Sequence, residues 1–202
     1  MTITIKFDDI NYGDVIVRAK PILLREAENY RGDATKTMVE IAKLPKNLIY
    51  KTFDELSVEK RNELVREFTT ESKDLIVSVI NTISERNQVG VVISDLSITR
   101  DLEMVVVVDE IDYPCVVELF LPKIREKLLS MGKMAVLLRP VIEGASAAKI
   151  CGLMDQLLGD KKDSFVASVV NQNQGRVIGF LEAIAQKLGI RAEIDSVFIQ
   201  IS

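Results

Sequence analysis

Two pairs of carboxylates stand at matching places in the 202-residue chain, Asp8 with Asp9 and Asp109 with Glu110. Each pair follows an apolar run, and a tyrosine follows each four positions after the first acid, Tyr12 and Tyr113. Carboxylate oxygens are the ligands that Mg²⁺ and Ca²⁺ take. Brought together, Asp8, Asp9, Tyr12, Asp109, Glu110 and Tyr113 would form a cation or small-ligand site, although the spacing fits no known metal loop. Acids between a strand and a helix are also favoured by turn chemistry and by the positive end of the helix dipole, with no ligand needed. Tyrosines there can simply anchor a helix to a sheet, their hydroxyls at the surface.

Two further features recur. Glu59-Lys60-Arg61-Asn62 and Asp160-Lys161-Lys162-Asp163 put basic pairs at helix starts, where cations oppose the dipole and would suit an anion; the flanking acids offset them. Pro21 and Pro122 fall inside the first long helix of each half, where an interior proline removes a hydrogen bond and kinks the helix.

Other chemistry is narrowed by composition. With no histidine, Ser-His-Asp and Cys-His arrangements are excluded, as are imidazole zinc ligands. Cys115 and Cys151 are too few for a structural zinc site and read most simply as reduced cytosolic thiols. Asn171-Gln172-Asn173-Gln174-Gly175 has one glycine and is a turn, not a phosphate loop. No catalytic residue, metal ligand or cofactor is assigned.

The carboxylates recur because the chain repeats itself. Phe7-Asp8-Asp9-Ile10-Asn11-Tyr12 returns as Val108-Asp109-Glu110-Ile111-Asp112-Tyr113, a displacement of 101 residues (109 minus 8), half of the chain. Carried on without a gap, that displacement superposes Pro21 on Pro122, Asp54 on Asp155, Lys60 on Lys161 and Ile98 on Ile199. It yields about fifteen identical pairs where roughly seven would arise by chance. Apolar character agrees even where residues differ, as at Phe53 with Met154 and Val79 with Phe180. The two cysteines break the pattern, since they stand opposite Asp14 and Tyr50.

Each half reads as strand, several helices, strand. Ile3, Ile5 and Phe7 alternate with Thr4 and Lys6, the period of a strand with one buried face. Asn11 and Asp112 are natural N-caps for a helix whose stripe is Tyr12, Val15, Ile16, Ala19, Leu23 and Ala27, matched by Tyr113, Val116, Val117, Phe120, Ile124 and Leu128. Shorter helices are predicted at about 34–44, 46–56, 58–70 and 73–87, each with a counterpart displaced by 101. The stripes Ile76-Val79-Ile80-Ile83 and Val177-Phe180-Leu181-Ile184 are expected to pack helix on helix. Met134 to Leu138 has the composition of a strand, and the repeat argues for helix. Val91 to Ile98 and Ala192 to Ile201 close the halves, and Thr99-Arg100-Asp101 leaves length only for a hairpin.

The fold expected is therefore α+β: a tandem duplication of a β-(several α)-β unit with pseudo-twofold symmetry. Its four strands would form one mainly antiparallel sheet with helices packed on it. Residues 1–100 and 101–202 are the two repeats, and with no Gly/Ser/Pro-rich linker between them they are expected to merge into one compact domain. One difference between the halves stands out. Thr4 and Lys6 become Val105 and Val107, so the third strand is apolar on both faces and something must cover the second. Helices of the same chain or a homo-oligomer contact would each do so.

A net charge of −4 and a pI near 5.1 argue against nucleic-acid binding. The start of the chain has no basic leader and no unbroken apolar stretch, so no signal peptide is expected. Charges interrupt the longest apolar segment, Met131 to Leu158, so no membrane span is expected either. The expectation is a soluble cytoplasmic protein, a homo-oligomeric interaction or assembly module without enzymatic activity. A metal-dependent enzyme or small-ligand binder using the carboxylates near the pseudo-twofold axis is the alternative.

Overall fold

A computed structural model describes residues 1–26, 29, 31–86, 91–99, 103–131 and 133–201. The first half runs β1 (Thr2–Ile10), α1 (Tyr12–Glu26), α2 (Asp33–Lys43), α3 (Lys46–Glu55), α4 (Val58–Glu71), α5 (Lys73–Arg86) and β2 (Val91–Ile98). The second runs β3 (Glu103–Ile111), α6 (Tyr113–Leu129), α7 (Lys133–Gly144), α8 (Ala147–Leu158), α9 (Lys162–Asn171), α10 (Gln174–Lys187) and β4 (Ala192–Gln200). The segment of ambiguous composition from Met134 is helical, the state for which the displacement of 101 argued. A single 3-10 turn, Gly159–Lys161, separates α8 from α9, and Gly159 opens it at φ +50°, a conformation that glycine adopts without penalty.

The helix ends follow local chemistry. Asn11 Oδ1 accepts from the Asp14 N–H at 2.9 Å, and Asp112 Oδ1 from the Cys115 N–H at 3.4 Å, so both expected caps form. Gly32, at the start of α2, has no side chain to cap with. Glu71 at the end of α4 supplies the missing acceptor, taking the Thr35 N–H at 2.7 Å and the Thr35 hydroxyl at 2.9 Å. A Cβ on Gly32 would fall 2.0 Å from the Glu71 carboxylate, so the close approach requires glycine there. Pro21 and Pro122 both lie inside their helices. Ala27 and the link at Arg100 and Asp101 lie outside the described residues.

All four strands form one antiparallel sheet in the order β2-β3-β1-β4. Each of the three pairings joins a strand from residues 1–100 to one from residues 101–202, and β1 never pairs with β2, nor β3 with β4. The registers are related. Ile98 faces Met104 and Leu96 faces Val106 across β2 and β3; displaced by 101, Ile199 faces Ile3 and Val197 faces Ile5 across β4 and β1. Even the irregularities correspond, since Ile93 faces Val108 and Ile194 faces Phe7 beyond the same skipped position.

Among the described residues, three apolar clusters hold the chain together. One lies among α1 to α4, around Ile16, Leu23, Met38, Ile49 and Phe53. A second lies among α6 to α9, around Val117, Ile124, Ile142, Ile150 and Met154. The third joins the halves: Ile93 and Leu96 of β2 with Val106 and Val108 of β3, against Ile76, Val77 and Ile80 of α5. The stripes of α5 and α10 are not buried helix on helix as expected. These helices run along the edge strands, α5 beside β2 and α10 beside β4, and their apolar side chains are only half-buried.

Candidate functional site

The four carboxylates do not converge. β1 and β3 are antiparallel with Thr4 facing Val105, so Asp8 and Asp109 lie beyond opposite ends of the shared ladder, roughly 27 Å apart at the rise of a strand. Asp8, Asp9, Asp109 and Glu110 are all exposed, and Asp109 Oδ1 accepts the Ser94 hydroxyl at 2.7 Å. Among the described residues, no three His, Cys, Asp or Glu side chains could jointly hold a metal ion. The direct antiparallel pairing of β1 with β3 separates the acids, because it carries the ends of the two strands apart.

The tyrosine hydroxyls bond to neighbouring helices. Tyr12 is buried, its ring centroid 6.1 Å from that of Phe53 and its hydroxyl 3.4 Å from Asn62 Oδ1 on α4. Burial pushes its pKa up to about 12; Arg61 opposes the shift and Asp9 adds to it. Tyr113 repeats the arrangement, its hydroxyl bonded to Asp163 on α9 and its ring 4.0 Å from Lys162 Nζ. The basic pairs are partly engaged by the same contacts, with Arg61 donating to the Leu56 carbonyl at 3.4 Å and Lys162 reaching Asp155 at 2.6 Å.

A cluster not foreseen from the sequence surrounds Asp14. This carboxylate is buried in the first turn of α1 and accepts the Tyr50 hydroxyl at 2.5 Å, Arg191 Nε at 2.8 Å and the Arg191 N–H at 3.1 Å. Burial works to raise the Asp14 pKa, but the bonds from Arg191 and Tyr50 outweigh it and hold the carboxyl below its usual range. The bond to Asp14 raises the Tyr50 pKa in turn. A carboxylate so saturated, ionised at neutral pH beside a phenol that keeps its proton, fastens the entry of β4 to α1 and has no proton to trade. Its one signal in the sequence was a disagreement, since Asp14 and Tyr50 stand opposite Cys115 and Cys151.

No family model, curated protein or solved structure matches this chain. The site must be read from its own geometry.

Val105 and Val107 decide that reading. They lie on the face of β3 opposite Val106 and Val108, are half-buried, and join none of the three apolar clusters. Ser97, Val105, Thr4 and Phe198 form a row across the four strands, and Asp95, Val107, Thr2 and Gln200 form the next. Phe198 is 52% exposed. Among the described residues, the chain's apolar clusters take up the other face. The sheet edges, by contrast, are bonded at several positions to the helices beside them. Asn81 of α5 bonds both the N–H and the carbonyl of Ile93, Ser84 bonds the Val91 carbonyl, Asn171 of α9 bonds both groups of Ile199, and Glu182 takes the Ile194 N–H. Satisfied edge groups offer no template for an added strand.

Proposed function

We propose that this protein is a non-enzymatic interaction and assembly module that works as a homo-oligomer. The observation that carries the reading is the open sheet face around Thr4 and Val105, with Phe198 half-exposed beside them.

The chain in this reading is a tandem duplication whose halves are related by a pseudo-twofold axis passing between Thr4 and Val105. The matched ladders support this, as do the paired anchors from Tyr12 to Asn62 and from Tyr113 to Asp163. Three inter-half strand pairings favour one merged domain over two beads. A net charge of −4 fits a protein that binds neither nucleic acid nor membrane, and two free thiols fit the cytoplasm. Among the described residues, no helix is long and apolar enough to cross a membrane.

Native mass spectrometry of the purified chain tests the proposal. A mass at a multiple of 22.6 kDa without retained small molecules is the expected result. A monomer carrying a metal ion or small ligand would replace this reading with a binding or catalytic one.

A further inference from the structure

We infer that the open face of the sheet is the self-association surface, and that its occupant is the same face of a second copy, related by a twofold axis parallel to the strands. The inference rests on the homo-oligomer reading and adds the face and the orientation. Area comes first. Strands of nine residues at about 3.3 Å per residue, four abreast at about 4.8 Å, make a face of roughly 30 by 19 Å. With the side chains around its rim, that approaches the ~800 Å² per partner of a standard interface.

Charge selects the orientation. Lys6 and Glu103 are direct neighbours across β1 and β3 on the open side, in the row next to Thr4 and Val105. Lys6 Nζ also lies 3.3 Å from Asp195 Oδ2 of its own chain, with both side chains nearly half exposed. A second copy turned about an axis running along the strands, between β1 and β3, lays each Lys6 over the other copy's Glu103 and each Val105 over a Thr4. Turning it about an axis across the strands sets Lys6 over Thr2 and Glu103 over Val107, burying both charges with no partner from the other copy to offset their desolvation. Phe198 in the favoured orientation covers Ser97, a small residue that leaves room for a ring. The edges are the poorer docking route, because Asn81 and Asn171 already bond Ile93 and Ile199 there. Combined with the axis within the chain, this dimer brings four repeats into approximate 222 symmetry, a common arrangement of closed oligomers.

The test uses two full-length single variants, Lys6→Glu and Glu103→Lys. Each alone should dimerise on the order of tenfold or more weakly than the wild type, since like charges then oppose one another twice across the interface. Mixed, they should recover a heterodimer on native mass spectrometry. The carboxylate that replaces Lys6 in one copy then meets the ammonium that replaces Glu103 in the other, and the unsubstituted Glu103 and Lys6 meet at the second contact. A control, Phe180→Lys on the half-buried stripe of α10, should leave the dimer unchanged. Wild-type dimers with both charge variants dimerising undiminished, or dissociation only in the Phe180 variant, would overturn the assignment of the face and leave the homo-oligomer standing. A wild-type monomer would remove both.

Discussion

Thr4 and Val105 face each other at the centre of the sheet, and they are the one pair in the ladder of β1 and β3 that the displacement of 101 residues maps onto itself. Every other pair there is exchanged with another: Ile3 facing Val106 with Ile5 facing Met104, and Thr2 facing Val107 with Lys6 facing Glu103. A strand pair with this property is what two identical strands make when they meet antiparallel. The register of β1 and β3 is centred on Thr4 and Val105.

Separated halves should therefore behave in a particular way. Residues 1–100 contain β1 and β2, which do not pair with each other. Expressed alone, either half is expected to be unfolded or to fold only as a dimer, in which β1 or β3 pairs with its own copy. Sedimentation with circular dichroism of each half, and of the two mixed, is the check. A half that folds cooperatively as a monomer would contradict this interdependence.

Asp14 should be a point of stability with a defined pH signature. Its carboxyl is held below the ordinary value of 3.8, so the stability it contributes is present above that value and lost as pH falls through the folded value. Asp14→Ala leaves the Tyr50 hydroxyl and the Arg191 N–H without their protein acceptor and should lower stability at neutral pH. Chemical denaturation from pH 6 down to about 2.5 should show a shallower acid loss in the variant than in the wild type.

Tyr12 gives the opposite sign. With its pKa raised from 10.0 to about 12 by burial, the stability it contributes is intact below 10 and lost as pH rises toward 12. Absorbance titration of the tyrosinates should show Tyr12 and Tyr50 ionising late, and Tyr12→Phe should remove the latest part of that change. Ionisation of all four tyrosines near 10 would contradict the burial described here.

The amide clamps on the edge strands predict a change in behaviour beyond stability. Asn81→Ala and Asn171→Ala each strip an edge residue of partners for both its N–H and its carbonyl, at about 1–3 kcal/mol. The freed edges should promote aggregation on mild heating. Light scattering during a thermal ramp compares the variants with the wild type, and equal scattering would show that the clamps do not protect the edges.

The elements were legible in the sequence because their signals are local. Asn11 and Asp112 announced the first helix of each half, and the displacement of 101 carried the helical reading through Met134 to Leu138. The strand order was not legible, since nothing near Ile5 says that Val197, not Leu96, lies beside it. The same loss of long-range information misplaced the acids: an antiparallel sheet was expected, but not that β1 and β3 pair directly about Thr4 and Val105, which carries Asp8 and Asp109 to opposite ends. The Asp14 and Arg191 bond joins residues 177 apart and is invisible to any periodicity. Val105 and Val107 did mark the place where the halves differ, but periodicity could not say whether a helix would cover them.

The most direct measurement is sedimentation equilibrium of the full chain beside its Val107→Lys variant, with thermal melting of both. Val107 faces outward from the sheet, so the substitution should leave the fold intact and act on association alone. A dimer built on the open face requires a wild-type mass of twice 22.6 kDa and a variant at 22.6 kDa with a similar melt. A wild type that sediments at 22.6 kDa at tens of micromolar, or a folded variant with the mass of the wild-type dimer, would contradict that assembly.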